Sequence, residues 1–295
     1  MEPARIKSPI RSALVGAFAL VAFCATAPAQ TSERPASPAA PQPLVIGETF
    51  TLQSRVLNEA RRINVYLPPA YVDSPTVRLP VMYMPDGGLA EDFLHVAGLV
   101  QVSSGNGTMR PFILVGIENT ERRRDLTGPT DVASDRAIAP RVGRSAVFRD
   151  FIRTELIPDV SRRYRTTGEQ GIVGESLAGL FVVETFLLEP ALFDTYIAID
   201  PSLWWNNGKL VADAAPRIRA MASEKSAAPS TKKRLWYSTS REGAIELAGQ
   251  LESALRAGAP SSIIWQYEPM PEETHGTIYH PAALRAFRAV LKPVK

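Results

Sequence analysis

The sequence predicts an α/β protein built on one open, mostly parallel sheet with helices on both faces. Three observations lead there. Short apolar runs alternate with longer stretches of helical spacing over most of the 295 residues. Several runs, such as "FILVGI" (residues 112–117) and "TYIAI" (195–199), are apolar throughout, as parallel strands covered on both faces must be. No linker or internal repeat interrupts the pattern after about residue 45, so residues 46–295 are expected to form a single domain.

Taken in order, the chain begins with Arg5, Lys7 and Arg11, then an uncharged apolar stretch from Ala13 to Cys24, then "ATAPAQ". A basic segment, an apolar segment and small residues at the −3 and −1 positions, Ala27 and Ala29, describe a secretory signal peptide over residues 1–29. The apolar run falls short of the ~20 residues that a spanning helix needs. Phe23 stands before Cys24 where a lipoprotein signal has a small residue, so lipid attachment is not expected. Cleavage near Ala29 would remove the only cysteine, which excludes thiol catalysis, disulfides and thiolate metal sites from the mature chain. The formal net charge is +3; residues 1–29 hold three basic groups against Glu2, which leaves about +1. Such a balance points to neither nucleic acid nor an anionic membrane, and no membrane insertion is expected after cleavage. Residues 30–45 are rich in Pro, Ala and Ser and predict an extended linker.

Beyond it, "ETFTLQSRVLN" suits an antiparallel edge strand, and further strands are expected at 61–67, 79–84, 112–117, 171–174, 195–199, 234–238 and 262–268. In "RSAVFRDFIRTELIPDVSRRYR", Phe148, Phe151, Ile152, Leu156, Val160 and Tyr164 fall on one helical stripe, which Pro158 should kink.

In open α/β sheets, functional groups collect at the carboxyl ends of strands. "GIVGESLAGLF" (171–181) places Ser176 just after the fifth strand and at the start of an apolar helix, between Gly174 and Ala178-Gly179. A strand turning sharply into a helix brings the two backbones almost into contact, so the residues two before and two after the serine must be small. The spacing therefore predicts a nucleophile elbow. A serine hydroxyl needs a base, and in this arrangement the acid and then the histidine follow the serine in the chain. Of three histidines, His95 precedes Ser176 and suits a helix, while His280 stands before Pro281 as a helix cap. His275, in the loop "PEETHG" after the last strand, is the expected base. Glu242, just past the penultimate strand, is the expected acid; Asp200 and a dyad without acid are the alternatives. The tetrahedral oxyanion requires two backbone N–H donors: Leu177, next after the nucleophile, and Gly88 in "PDGG" after the third strand. Trp204 and Trp205 cannot share one core face, so one is a candidate to line the substrate pocket. "ERRRD" (121–125), with Arg124 in it, is either a loop braced by Arg–Asp pairs or a contact for an anionic substrate.

As a set, "RRINVYLPPAY", "LPVMYMPDGG", "FILVGIENTERRRDLTGP", "GESLAGLF", "AIDPSLWWNNG" and "ETHG" resemble the esterase branch of the α/β hydrolases. That branch includes siderophore esterases of the enterobactin and salmochelin type, esterase D, feruloyl esterases and mycolyltransferases. The resemblance runs from about residue 47 to 290. It implies an α/β-hydrolase fold, Ser176 as nucleophile, His275 as base, and Gly88 and Leu177 as oxyanion donors. It also implies a small-molecule ester substrate with neither cofactor nor metal. Ala178 departs from the commoner Gly-x-Ser-x-Gly, a variant the family also contains, and the resemblance leaves the acid open. The expected function is an exported serine carboxylester hydrolase working through an acyl-enzyme, on a siderophore lactone or an aryl ester. Acyl transfer to a sugar or alcohol, and a non-catalytic binding module, are the alternatives.

Overall fold

Eight strands form one sheet in the order β1-β2-β4-β3-β5-β6-β7-β8 among the residues that the computed structural model describes, 43–223 and 232–293. The expected signal peptide and most of the 30–45 linker lie outside the described residues. The strands are β1 (Glu48–Ser54), β2 (Glu59–Tyr66), β3 (Leu79–Pro85), β4 (Ile113–Ile117), β5 (Thr166–Glu175), β6 (Thr195–Ile199), β7 (Lys233–Ser240) and β8 (Ile263–Met270). β1 and β2 pair antiparallel, β2 also runs antiparallel to β4, and every pair from β4 to β8 is parallel. β5 begins five residues before its apolar run, because Thr166 pairs with Leu79 across a register shift.

Helices fill the connections: α1 (Pro69–Val72), α2 (Phe93–Gly105), α3 (Arg122–Leu126), α4 (Ala133–Ala137), α5 (Ser145–Phe151), α6 (Ile157–Arg163), α7 (Leu177–Leu188), α8 (Lys209–Ala212), α9 (Ala214–Ser223), α10 (Ile245–Gly258) and α11 (Tyr279–Val290). Alternation along the strands sorts side chains onto two faces. Met82, Met84, Leu114, Val173, Ile197 and Trp236 pack with α2 and α11, for example against Phe93 and Phe287. Val81, Tyr83, Val115, Ile172, Tyr196 and Tyr237 pack on the other face with α5, α7 and α10, for example against Phe148, Phe181 and Leu251. The expected kink at Pro158 takes the form of a π-helical segment, Ile152–Leu156, between α5 and α6. Proline has no N–H and its ring crowds the carbonyl four residues back, and the wider turn relieves both.

Chain order reverses on either side of β3: β4 lies on one side and β5 on the other. Connections therefore leave in opposite directions there and open a crevice above the strand ends, where ligands bind in open α/β sheets. Ser176 follows β5 and the Asp86-Gly87-Gly88 turn follows β3, so both stand at this crevice.

Candidate active site

Ser176 caps the start of α7 with φ 62° and ψ −121°, a left-handed conformation that L-residues avoid. The strain is held in place by its neighbours. Ser176 N–H donates to Ile199 O at 3.0 Å, and its carbonyl accepts from Leu180 N–H at 2.9 Å and from Ser202 N–H at 3.0 Å. A Cβ at Gly174 would lie 2.6 Å from that of Ala178, which is why the position admits no side chain. Leu177 is the first residue of α7, so its N–H has no intrahelical acceptor and points out of the helix start.

The loop after β8 brings His275 over the serine, ninety-nine positions along the chain. Its Nε2 is 3.1 Å from Ser176 Oγ, and its Nδ1 is 2.7 Å from Asp200 Oδ2. Asp200 directly follows β6 with φ 42°, and its side chain is wholly buried. Ser240, the last residue of β7, supplies two further donors to it, N–H to Oδ1 at 3.0 Å and Oγ–H to Oδ2 at 2.7 Å. Gly243 passes so close to Oδ1 that no side chain fits there. Burial alone would raise the Asp200 carboxyl, but hydrogen bonds from His275 and Ser240 outweigh it and hold the group below its ordinary range. The bond to Asp200 in turn raises His275 above its ordinary 6.5, against burial and with help from the charge on Glu175. An ionised carboxylate accepts the Nδ1–H, which leaves Nε2 as the unprotonated nitrogen facing the serine.

The expected acid is placed differently. Glu242 is exposed, and its Oε2 accepts the backbone N–H of His275 at 3.0 Å rather than a ring nitrogen. The ring is already held by the runner-up, Asp200, whose burial makes it the stronger electrostatic partner. Glu242 orients the loop instead.

Two carboxylates at the site carry no signal in the spacing of the motifs. Glu175, the residue before Ser176, has Oε1 3.3 Å from His275 Nε2. Burial first, and then the nearby charges of Asp92 and Asp86, push its carboxyl up to about 7, against the opposing pull of His275 and Arg122. Glu91 reaches back so that its Oε2 accepts the N–H of Gly88 at 2.7 Å, while Asn119 Nδ2–H donates to its Oε1 at 2.9 Å. The Gly88 N–H is thus occupied, and an oxyanion using it has to displace Glu91.

A sequence model of the family described as "Putative esterase" matches residues 54–268. The chain belongs to this esterase family. It is 32% identical over 166 residues to the ferri-bacillibactin esterase BesA of Bacillus subtilis, a match covering 50% of this chain and 56% of the relative. It is 30% identical over 203 residues to the siderophore triacetylfusarinine C esterase of Aspergillus fumigatus, covering 64% and 67% of the two chains. The match thus spans little more than half the length of the Bacillus relative. Among solved structures, an IroE-like serine hydrolase from Shewanella oneidensis superposes with a TM-score of 0.72 at 30% identity, over 83% of this chain and 80% of the other. The siderophore hydrolase EstB of Aspergillus nidulans shares the fold, with a TM-score of 0.69 at 21% identity over 88% and 99%. The α/β-hydrolase fold implied by the sequence resemblance is borne out.

In this member of the family the remaining candidates divide. Trp205 is buried and its Nε1–H donates to Gly128 O at 2.8 Å, so it is a structural residue, whereas Trp204 is 49% exposed. Arg124 is not available to a substrate. Its side chain is buried, with Nη2 and Nη1 on Glu59 at 2.8 and 3.0 Å and Nε on Asp125 at 2.6 Å. The loop braced by Arg–Asp pairing is what the structure contains. Arg122, by contrast, faces the crevice, bound through Nε and Nη2 to both oxygens of Asp86 at 2.8 Å. His95 lies on α2 as expected, edge-on to Tyr279. His280 sits inside the first turn of α11, which Ile278 caps.

Proposed function

We propose that this esterase is a serine carboxylester hydrolase working through an acyl-enzyme, with siderophore-type esters as its substrate class. The observation that carries the reading is the line from Ser176 Oγ through His275 Nε2 and Nδ1 to the buried Asp200, at 3.1 and 2.7 Å. The two curated relatives compared above, both named as esterases of siderophores, supply the substrate class.

The chemistry follows from the geometry. His275 Nε2 takes the Ser176 proton as Oγ attacks the ester carbonyl carbon, and the imidazolium is balanced by Asp200. The carbonyl electron pair moves onto oxygen, which the Leu177 N–H stabilises, with Gly88 N–H once Glu91 has moved aside. The pair returns, the C–O bond to the alcohol breaks, and Nε2–H protonates the leaving oxygen. Water, deprotonated by the same nitrogen, attacks the acyl-enzyme; Ser176 Oγ leaves and recovers the proton, and the carboxylic acid is released. Residues 1–29 support export, with processing near Ala29.

A fluorophosphonate probe is expected to label the wild-type chain at Ser176 and to leave Ser176→Ala unlabelled. Equal labelling of both would refute the nucleophile, and so would an unlabelled wild type that still cleaves phenyl acetate.

A further inference from the structure

Resting on that ester-hydrolase reading, we propose that the mouth of the site selects substrates by charge, accepting esters that are neutral or cationic near the scissile bond and excluding anionic ones. The site is defined by Ser176 and its base, and four carboxylates stand near them. Glu175 lies 3.3 Å from His275 Nε2, Glu91 sits on the Gly88 N–H, and Glu242 holds the backbone N–H of His275. Asp92, half-buried just before α2, adds a charge that Glu175 feels.

Apart from exposed Arg241, beside Glu242, the cations that could offset them are spoken for. Arg122 is bound at both ends of its fork by Asp86, and Arg124 is buried among Glu59 and Asp125. Arg123 and Arg141 line, with Arg122, a pocket of about 190 Å³ that includes neither Ser176 nor His275, and Arg141 is paired there with Glu121. A crevice with low-dielectric walls and one sign of charge focuses its field on whatever enters. Burial is the largest influence on Glu175 and opposes its ionisation against the pull of His275 and Arg122, and an incoming anion loses its water in the same place.

A second, independent feature agrees. Trp204 stands half-exposed on the loop whose Ser202 N–H binds the Ser176 carbonyl. The face of an indole ring attracts cations and repels anions. Among iron complexes, the ordering places a neutral ferric tris-hydroxamate ester ahead of a trianionic ferric tris-catecholate.

Three acetate esters of matched shape test the proposal: phenyl acetate, 3-acetoxybenzoate and 3-acetoxyphenyl-trimethylammonium. Each kcat/KM is divided by the ester's own alkaline hydrolysis rate constant, which removes leaving-group differences. The cation is expected to exceed the anion by about tenfold or more at ~0.01 M ionic strength, with the ratio shrinking toward parity at ~1 M. Asp92→Asn should narrow the low-salt ratio by about twofold. Parity at low salt, a preference for the anion, or a ratio insensitive to salt overturns the proposal. Phenyl acetate reports separately on the hydrolase reading. Turnover that disappears in Ser176→Ala upholds that reading whatever the ratio, and no turnover of any of the three esters overturns both.

Discussion

Ser176 stands between two halves of the sheet edge that are built in different ways. On the β6–β8 side, Ser240, Asp200 and His275 form a chain of hydrogen bonds with the acid fully buried, and both oxygens of that acid have partners. On the β3–β4 side, buried Asp86 and half-buried Glu91, Asn119 and Arg122 form a charged network, and Glu91 occupies the Gly88 N–H. Burial makes the first half rigid, because breaking any bond strands a polar group away from water. The second half can rearrange, because a half-exposed carboxylate that loses a partner regains water. On the proposed mechanism, the half that supplies the base is therefore preset, and the half that would receive the oxyanion has to adjust when substrate arrives.

The sharpest way to break that contrast is within the first half, where two carboxylates meet one histidine. Asp200→Asn removes the acceptor that fixes the Nδ1–H tautomer, and kcat should fall by about 10³- to 10⁴-fold with little change in KM. Glu242→Gln keeps an oxygen for the His275 backbone N–H, so kcat should fall by only about two- to fivefold. Steady-state kinetics on phenyl acetate checks both. Comparable losses in the two variants would mean that burial does not decide which carboxylate serves the ring.

The second half gives a smaller effect of opposite sign. Glu91→Ala frees the Gly88 N–H and removes a negative charge from the place where negative charge develops. We expect kcat to rise by about three- to tenfold, a fraction of what removing an oxyanion donor outright costs. A fall in kcat would mean instead that Glu91 holds the turn in its working shape.

These two halves were not equally legible in the sequence. The parallel strands, the elbow at Ser176 and the position of His275 could all be read, because close backbone approach and strand-end placement constrain residue type locally. The choice between Asp200 and Glu242 could not, since both follow a strand and the difference lies in burial, set by how Ser240 and Gly243 pack around Asp200. Arg124 looked available because "ERRRD" does not reveal Glu59, sixty-five positions earlier, as its partner. Glu91 and Glu175 were missed for a related reason. One acts three residues from its turn, and the other occupies the unconstrained position of Gly-x-Ser, where only the fold shows which way the side chain points.

Glu175 belongs to neither half, and it gives the smallest and most specific effect. Its carboxylate and Ser176 Oγ both lie within reach of His275 Nε2, and its negative charge helps raise the imidazole above 6.5. The base works only when Nε2 is unprotonated, so kcat/KM should climb as pH rises through that raised value. In Glu175→Gln the imidazole loses a neighbouring charge and releases its proton more readily, so the acid limb of the profile moves to lower pH. At pH near 7, where the Glu175 carboxyl is about half ionised, the variant should exceed wild type by about twofold, with the gap closing in alkaline solution and again below about pH 6, where Glu175 is itself protonated. Stability gives a second readout with its own sign. A carboxyl raised from 4.5 to about 7 binds a proton more tightly folded than unfolded, so wild-type stability declines as pH rises between those values. Glutamine cannot ionise, and its melting temperature relative to wild type should therefore gain a few degrees at pH 8 compared with pH 4. An acid limb that stays in place while that relative stability improves would mean that Glu175 strains the fold without touching the base.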